Sequence, residues 1–83
     1  MPERRRVRMY TRTDCGLCEE AREAILSVRG EVPFEYEEVT VDGREDLERV
    51  YGQRLPVVLV DGEERFELHV DPAELRAALS LRD

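Results

Sequence analysis

Long hydrophobic runs are missing from this chain. Its longest unbroken apolar run is Val57-Val58-Leu59-Val60, far short of the ~20 residues that a membrane-spanning helix needs. No signal-peptide pattern follows Met1, so the protein is expected to be cytoplasmic, with no membrane partner. Repeats and low-complexity segments are absent too. Residues 1–83 read as a single domain, near the lower size limit for a core that stands alone. A basic face is also lacking. The net charge is -7, which argues against nucleic acid as a partner. Arg4-Arg5-Arg6 is a local basic run, read as a solvated edge of the first strand. Histidine occurs once, as His69, and cysteine twice. Two thiolates make only half of a four-thiolate site, so no metal site is expected within one chain.

What the chain does have is charge and pattern. Charged residues make up 40% and hydrophobic residues 41% of it, which suits a small globular core with a charged surface. Val7 and Met9 alternate with charged residues, predicting a strand over about 5–10. Leu17, Ala21, Ala24, Ile25 and Val28 form one helical face, predicting a helix over about 16–29 that Gly30 and Pro33 end. A second strand is predicted over 34–41, although its alternation slips between Tyr36 and Val39. A second helix is predicted over 44–51, with Leu47, Val50 and Tyr51 turned inward. Val57–Val60 reads as a central strand covered on both faces. Asp61-Gly62 signals a hairpin, followed by a strand over 64–68 with Phe66 and Leu68 on one face. Asp71-Pro72 opens a last helix, with Asp71 as its cap and Leu75, Ala78 and Leu79 as its buried stripe. The order is β-α-β-α-β-β-α. A right-handed crossover makes the first two strands parallel, and the hairpin makes the last two antiparallel. The expected fold class is α/β, a mixed four-stranded sheet with helices on both faces.

Both cysteines sit where the first strand gives way to the first helix, as Cys15-Gly16-Leu17-Cys18. A helix start supplies unpaired backbone N–H groups and the positive end of the helix dipole. Both favour a thiolate, the form that attacks disulfides. Cys15 is therefore read as the nucleophile and Cys18, one turn in, as the less accessible resolving thiol. Arg12 is placed to add positive charge, whereas Asp14, Glu19 and Glu20 oppose a thiolate. The helix terminus is expected to prevail, because its donors are close and fixed while exposed carboxylates are screened.

Three segments in order resemble glutaredoxins, within the thioredoxin fold: Tyr10 to Cys18, Tyr51-Gly52-Gln53-Arg54-Leu55-Pro56-Val57, and Asp61-Gly62. The resemblance runs from Arg5 to about Leu81. Two features differ from typical members. Gly16 and Leu17 stand between the cysteines in place of Pro and Tyr, and the segment from Phe66 to Asp71 lacks a Gly-Gly pair. These point to a divergent small glutaredoxin-like subgroup. The resemblance implies a cis Leu55-Pro56 bond beside the cysteines, turning the Leu55 backbone towards a substrate. It also implies that Gln53 and Arg54 lie near the place where a glutathione carboxylate is held, and it matches Arg12 to a basic residue three before the first cysteine.

The function expected is that of a thiol-disulfide oxidoreductase acting on protein disulfides or glutathione mixed disulfides, with Cys15 and Cys18 as catalytic residues. Arg12, Gln53, Arg54, Leu55 and Pro56 would form its substrate or glutathione surface. No tightly bound cofactor is expected. Either glutathione or a cellular reductase would donate electrons to a monomer. Two alternatives stay open: a dimeric iron-sulfur or metal carrier, and a non-catalytic thioredoxin-fold binding module.

Overall fold

Alternation along the first strand decides the layering. The computed structural model describes residues 5–80; Arg4 and Leu81 lie outside them. Its elements are β1 (Arg6–Thr11), α1 (Gly16–Arg29), β2 (Glu35–Thr40), α2 (Glu45–Tyr51), β3 (Val57–Val60), β4 (Glu63–Glu67) and α3 (Pro72–Ser80). Strand order is β2-β1-β3-β4. β1 runs parallel to β2 and antiparallel to β3, and β3 runs antiparallel to β4. This is the expected mixed sheet.

Val7 and Met9 are fully buried and pair with Val60 and Val58 across β3. Their face of the sheet meets Cys18, Ala21, Ile25 and Val28 of α1 and Leu75 and Leu79 of α3, which share one core. α1 and α3 also touch each other. Fully burying each Val, Leu or Ile contributes about 1.5–3 kcal/mol, and this layer holds most of them. Tyr10 and Val57 point the other way, beneath α2. Helices therefore cover both faces.

Several expected details shift. The buried stripe of α1 begins at Cys18, not Leu17, because 18, 21, 25 and 28 keep the three-four spacing; Leu17 and Ala24 stay at the rim. α2 has only seven residues, so Leu47 and Tyr51, four apart, reach the sheet while Val50 faces solvent. The slip in β2 has a physical cause. Tyr36 lies opposite Val7 and Val39 opposite Tyr10, so each serves a different face. The rest of this edge strand is charged or polar and exposed, which discourages pairing with another chain. Leu68 does not join Phe66 on β4. The strand ends at Glu67, and Leu68 turns away at φ 72. Arg5 is more than a solvated edge: its guanidinium bonds Asp61 and donates to the Leu79 carbonyl at 2.6 Å.

A small ionic cluster joins β2 to α1. Arg22 donates to Glu38 at 2.5 and 2.9 Å, and the Tyr36 hydroxyl donates to the same carboxylate at 2.7 Å. The Arg22 hydrogen bonds hold the Glu38 carboxyl below the usual range, with Tyr36 adding to them against the cost of burial. A depressed carboxyl stabilises the fold fully above its unfolded value of about 4.3, and that contribution is lost as pH falls through the lower folded value. Urea midpoints are therefore expected to drop on acidification below about pH 4.5, and Glu38→Gln should shallow that drop. An unchanged acid limb in the variant would show that Glu38 carries none of it.

Candidate functional site

The parallel pairing of β1 and β2 sets Thr11 beside Thr40, so the loops leaving both strands emerge together. The Val41 N–H donates to the Thr11 carbonyl at 2.8 Å. Thr13 then donates to Asp42 twice, from its backbone N–H at 3.0 Å and its hydroxyl at 2.6 Å. These bonds, the hydroxyl's first, hold the Asp42 carboxyl below its usual range. Asp14 takes φ 60, a left-handed conformation that Asp tolerates better than most residues. That reversal aims the chain into α1.

Cys15 is the N-cap of α1, in an extended conformation, and its Sγ accepts from the Cys18 N–H at 3.1 Å. The Glu19 N–H donates to the Cys15 carbonyl at 3.1 Å, closing the first turn. A sulfur thus does what a Ser or Asp oxygen does at an ordinary cap. Cys15 and Cys18 form a disulfide with Cα atoms 5.2 Å apart, within the span that such a bridge accepts. Their exposure differs: Cys15 is half-buried at the rim, whereas Cys18 is 1% exposed.

Register brings two more segments to the same end of the sheet. Val57 opposes Tyr10, and Glu67 opposes Val57. Leu55-Pro56 therefore precedes β3 at the end where Cys15 follows β1, and Leu68 to Val70 follow β4 there. The Leu55-Pro56 bond is cis, as the resemblance implies, and both residues are buried. The Leu68 N–H donates to the Pro56 carbonyl at 2.8 Å, which ties the third segment to the second.

The charged residues expected at the site have internal partners. Arg12 donates to Glu48 at 2.7 Å and to the Gly52 carbonyl at 3.1 Å, bracing the cysteine loop against the end of α2. Arg54 bonds Glu64, donates to Glu67 at 2.9 Å and to the Val50 carbonyl at 3.0 Å, and lies 5.7 Å over the Tyr51 ring. These carboxylates, Glu64 first and then Glu67, raise its pKa further above the guanidinium norm. Gln53 is exposed, with no side-chain partner among the described residues. His69 is exposed as well. Among the described residues no group of three His, Cys, Asp or Glu could hold a metal ion, and no helix is long and apolar enough to cross a membrane.

The structure brings Cys15 to Cys18 and places Leu55 and Pro56 at the same end. It turns Arg12 and Arg54 towards in-chain carboxylates. Sequence reasoning missed the bracing residues. Glu48 and the Tyr10–Tyr51 stack, with centroids 4.0 Å apart, depend on how α2 lies over the sheet, which no local pattern reveals. Asp42 was within reach: once β1 and β2 are parallel, residues just past their ends become neighbours.

Residues 6–80 match the model of the glutaredoxin-like domain family (DUF836). The chain belongs to that family. It is 34% identical over 82 residues to an uncharacterized protein of Mycobacterium tuberculosis, covering 93% of this chain and 84% of that protein. Two solved structures show the same glutaredoxin-like architecture. Ne2328 from Nitrosomonas europaea is 32% identical, covers 96% of each chain and superposes with TM-score 0.82. XcR50 from X. campestris is 33% identical, covers 88% of this chain and 93% of its own, and has TM-score 0.76. A thioredoxin from Fasciola hepatica, at 24% identity, 93% coverage of this chain and 79% of that one, and TM-score 0.61, shares the fold.

Gly52 shows how tightly this glutaredoxin-like domain is braced. A Cβ there would lie 2.5 Å from both the Glu48 carbonyl and the Glu48 carboxylate, and 3.2 Å from the Arg12 guanidinium. Gly52→Ala is expected to cost about 1–3 kcal/mol, the range for overpacking, and to loosen Arg12. Chemical denaturation gives the first number. Faster hydrogen exchange across residues 12–15 would report the second, and unaltered exchange would refute it.

Proposed function

We propose that this domain is a thiol-disulfide oxidoreductase. One observation carries the reading: Cys15 lies at the rim with its sulfur on a helix-start N–H, while its bonded partner Cys18 is sealed behind it. An outer sulfur meets the substrate and an inner one waits. A buried structural pair would not need that asymmetry. The Cys15 thiolate attacks one sulfur of a substrate disulfide, forming a mixed disulfide and releasing the other sulfur as a thiolate that takes up a proton. Cys18 then gives up its proton and attacks the Cys15 sulfur. The substrate's second thiol leaves, and the internal disulfide closes. The substrate gains two electrons and two protons, and the cysteine pair loses them. A dithiol reductase, or two molecules of glutathione, restores the reduced pair.

Leu55 and Pro56, buried at the same end, would floor the surface on which the substrate lies. The test is equilibration in glutathione redox buffers, followed by acid quench, alkylation and intact mass measurement. The expected result is one two-electron transition between a doubly alkylated species and an unalkylated one that carries no adduct. Thiols that remain fully alkylated at every buffer ratio would sink the reading.

A further inference from the structure

Unpaired charge at the cysteine end of the sheet is mostly negative. Asp14, Glu19 and Glu20 flank the pair, Glu45 and Asp46 open α2, and Asp71 caps α3. All six are exposed, and none is held in an ion pair among the described residues. Arg44 and Arg49 of the α2 segment are the cations near them that lack such a partner. The guanidiniums nearest the cysteine and proline loops are already neutralised, Arg12 by Glu48 at 2.7 Å and Arg54 by Glu64 and by Glu67 at 2.9 Å. A glutathione carboxylate seated on Arg12 or Arg54 would have to displace one of these internal partners and enter a field mostly of its own sign.

From this we infer that the exchange site takes disulfides carried on basic polypeptide segments and discriminates against glutathione disulfide. The inference rests on the oxidoreductase reading and adds its substrate class. The carboxylates are spread over the starts of three helices, a span that a Lys- or Arg-rich segment can follow and a small disulfide cannot. Fields of one sign raise encounter rates by about 10–10³-fold and lose that effect as salt rises. The electron traffic is that of the exchange above: the peptide disulfide is reduced to two thiols and the Cys15–Cys18 pair is oxidised.

The experiment is a stopped-flow measurement of the reduced protein against four probes. Two are short peptides, each closed by one disulfide and flanked by Lys or by Glu. The others are glutathione disulfide and the neutral hydroxyethyl disulfide. Each rate is divided by that of dithiothreitol with the same probe, which cancels leaving-group differences. The Lys peptide is expected to react at least about tenfold faster than the Glu peptide and than glutathione disulfide at low salt. The gap should close towards 1 M salt, where the screening length is about 3 Å. A triple variant, Asp14→Asn, Glu19→Gln and Glu20→Gln, should shrink the Lys-to-Glu ratio severalfold, and a ratio is insensitive to any change in the thiolate itself. Equal rates, a faster Glu peptide or glutathione disulfide, or a ratio indifferent to salt would overturn the inference. Reduction of hydroxyethyl disulfide separates the two levels. If it proceeds without a Lys preference, only the substrate class falls; if it fails too, the oxidoreductase reading falls with it.

Discussion

Cys15→Ser is expected to bring disulfide reduction down to the uncatalysed background, a loss of at least about 10³-fold of the kind seen when a covalent nucleophile is removed. The argument is positional as well as chemical. A serine hydroxyl does not ionise near neutral pH and cannot be displaced through sulfur exchange, and no other thiol reaches the rim. Cys18 is 1% exposed and packs with Ala21 and Ile25, so it cannot take over the first attack. Cys18→Ser should give the opposite signature. Cys15 still attacks, but nothing resolves the intermediate, so a covalent adduct with the substrate accumulates and is read by intact mass. Serine also caps helices well, so Cys15→Ser should match the thermal stability of the reduced protein, the Cys15–Cys18 bridge being absent from both. Full activity in Cys15→Ser would remove the chemical basis of the assignment.

Leu75→Ala is expected to be among the most damaging changes away from the cysteines. Leu75 is fully buried and, with Ala78 and Leu79, anchors the nine-residue α3 to the core. Truncating a buried leucine costs about 2–5 kcal/mol, with the spread set by how far the cavity collapses. Domains of this size have only about 5–15 kcal/mol in total. A fall in melting temperature of about 15 °C follows for a domain of 60–100 residues, readable by calorimetry or circular dichroism. Exchange activity in the folded fraction should persist, because the cysteine turn is held by its own bonds, Cys18 N–H to the Cys15 sulfur, Thr13 to Asp42 and Arg12 to Glu48, none of which involves α3. A shift under 3 °C, on the same scale of about 4–8 °C per kcal/mol, would mean that α3 is not anchored through this residue.

Much of this was legible in the chain because local chemistry and fold agree. The span 16–29 is set by an apolar stripe and by Gly30 and Pro33 beyond it, all local features, and α1 occupies it. Val57–Val60 lacks polar residues, and β3 lies in the interior of the sheet beside β1. What stayed hidden depends on how distant pieces meet. Val50 was assigned an inward position and Leu68 the same face as Phe66, yet both are exposed. One sits on a helix too short to bury three residues, the other just past a strand that stops early. Arg12 and Arg54 could be named as cations near the site, but their partners, Glu48, Glu64 and Glu67, come from elements whose placement only the fold supplies.

The Arg5 side chain fastens the start of β1 to the last carbonyls of α3. The polypeptide therefore enters and leaves its described portion side by side, separated from the redox pole by the full length of β1, about 20 Å at strand spacing. A fluorescent label, purification handle or fused reporter joined before Arg5 or after Ser80 would emerge on the hemisphere away from the sulfur atoms. Such attachments make this architecture convenient for immobilisation with its business end outward, and a short bridge between the two sites should permit a circularly rearranged version whose new ends open at Asp61-Gly62.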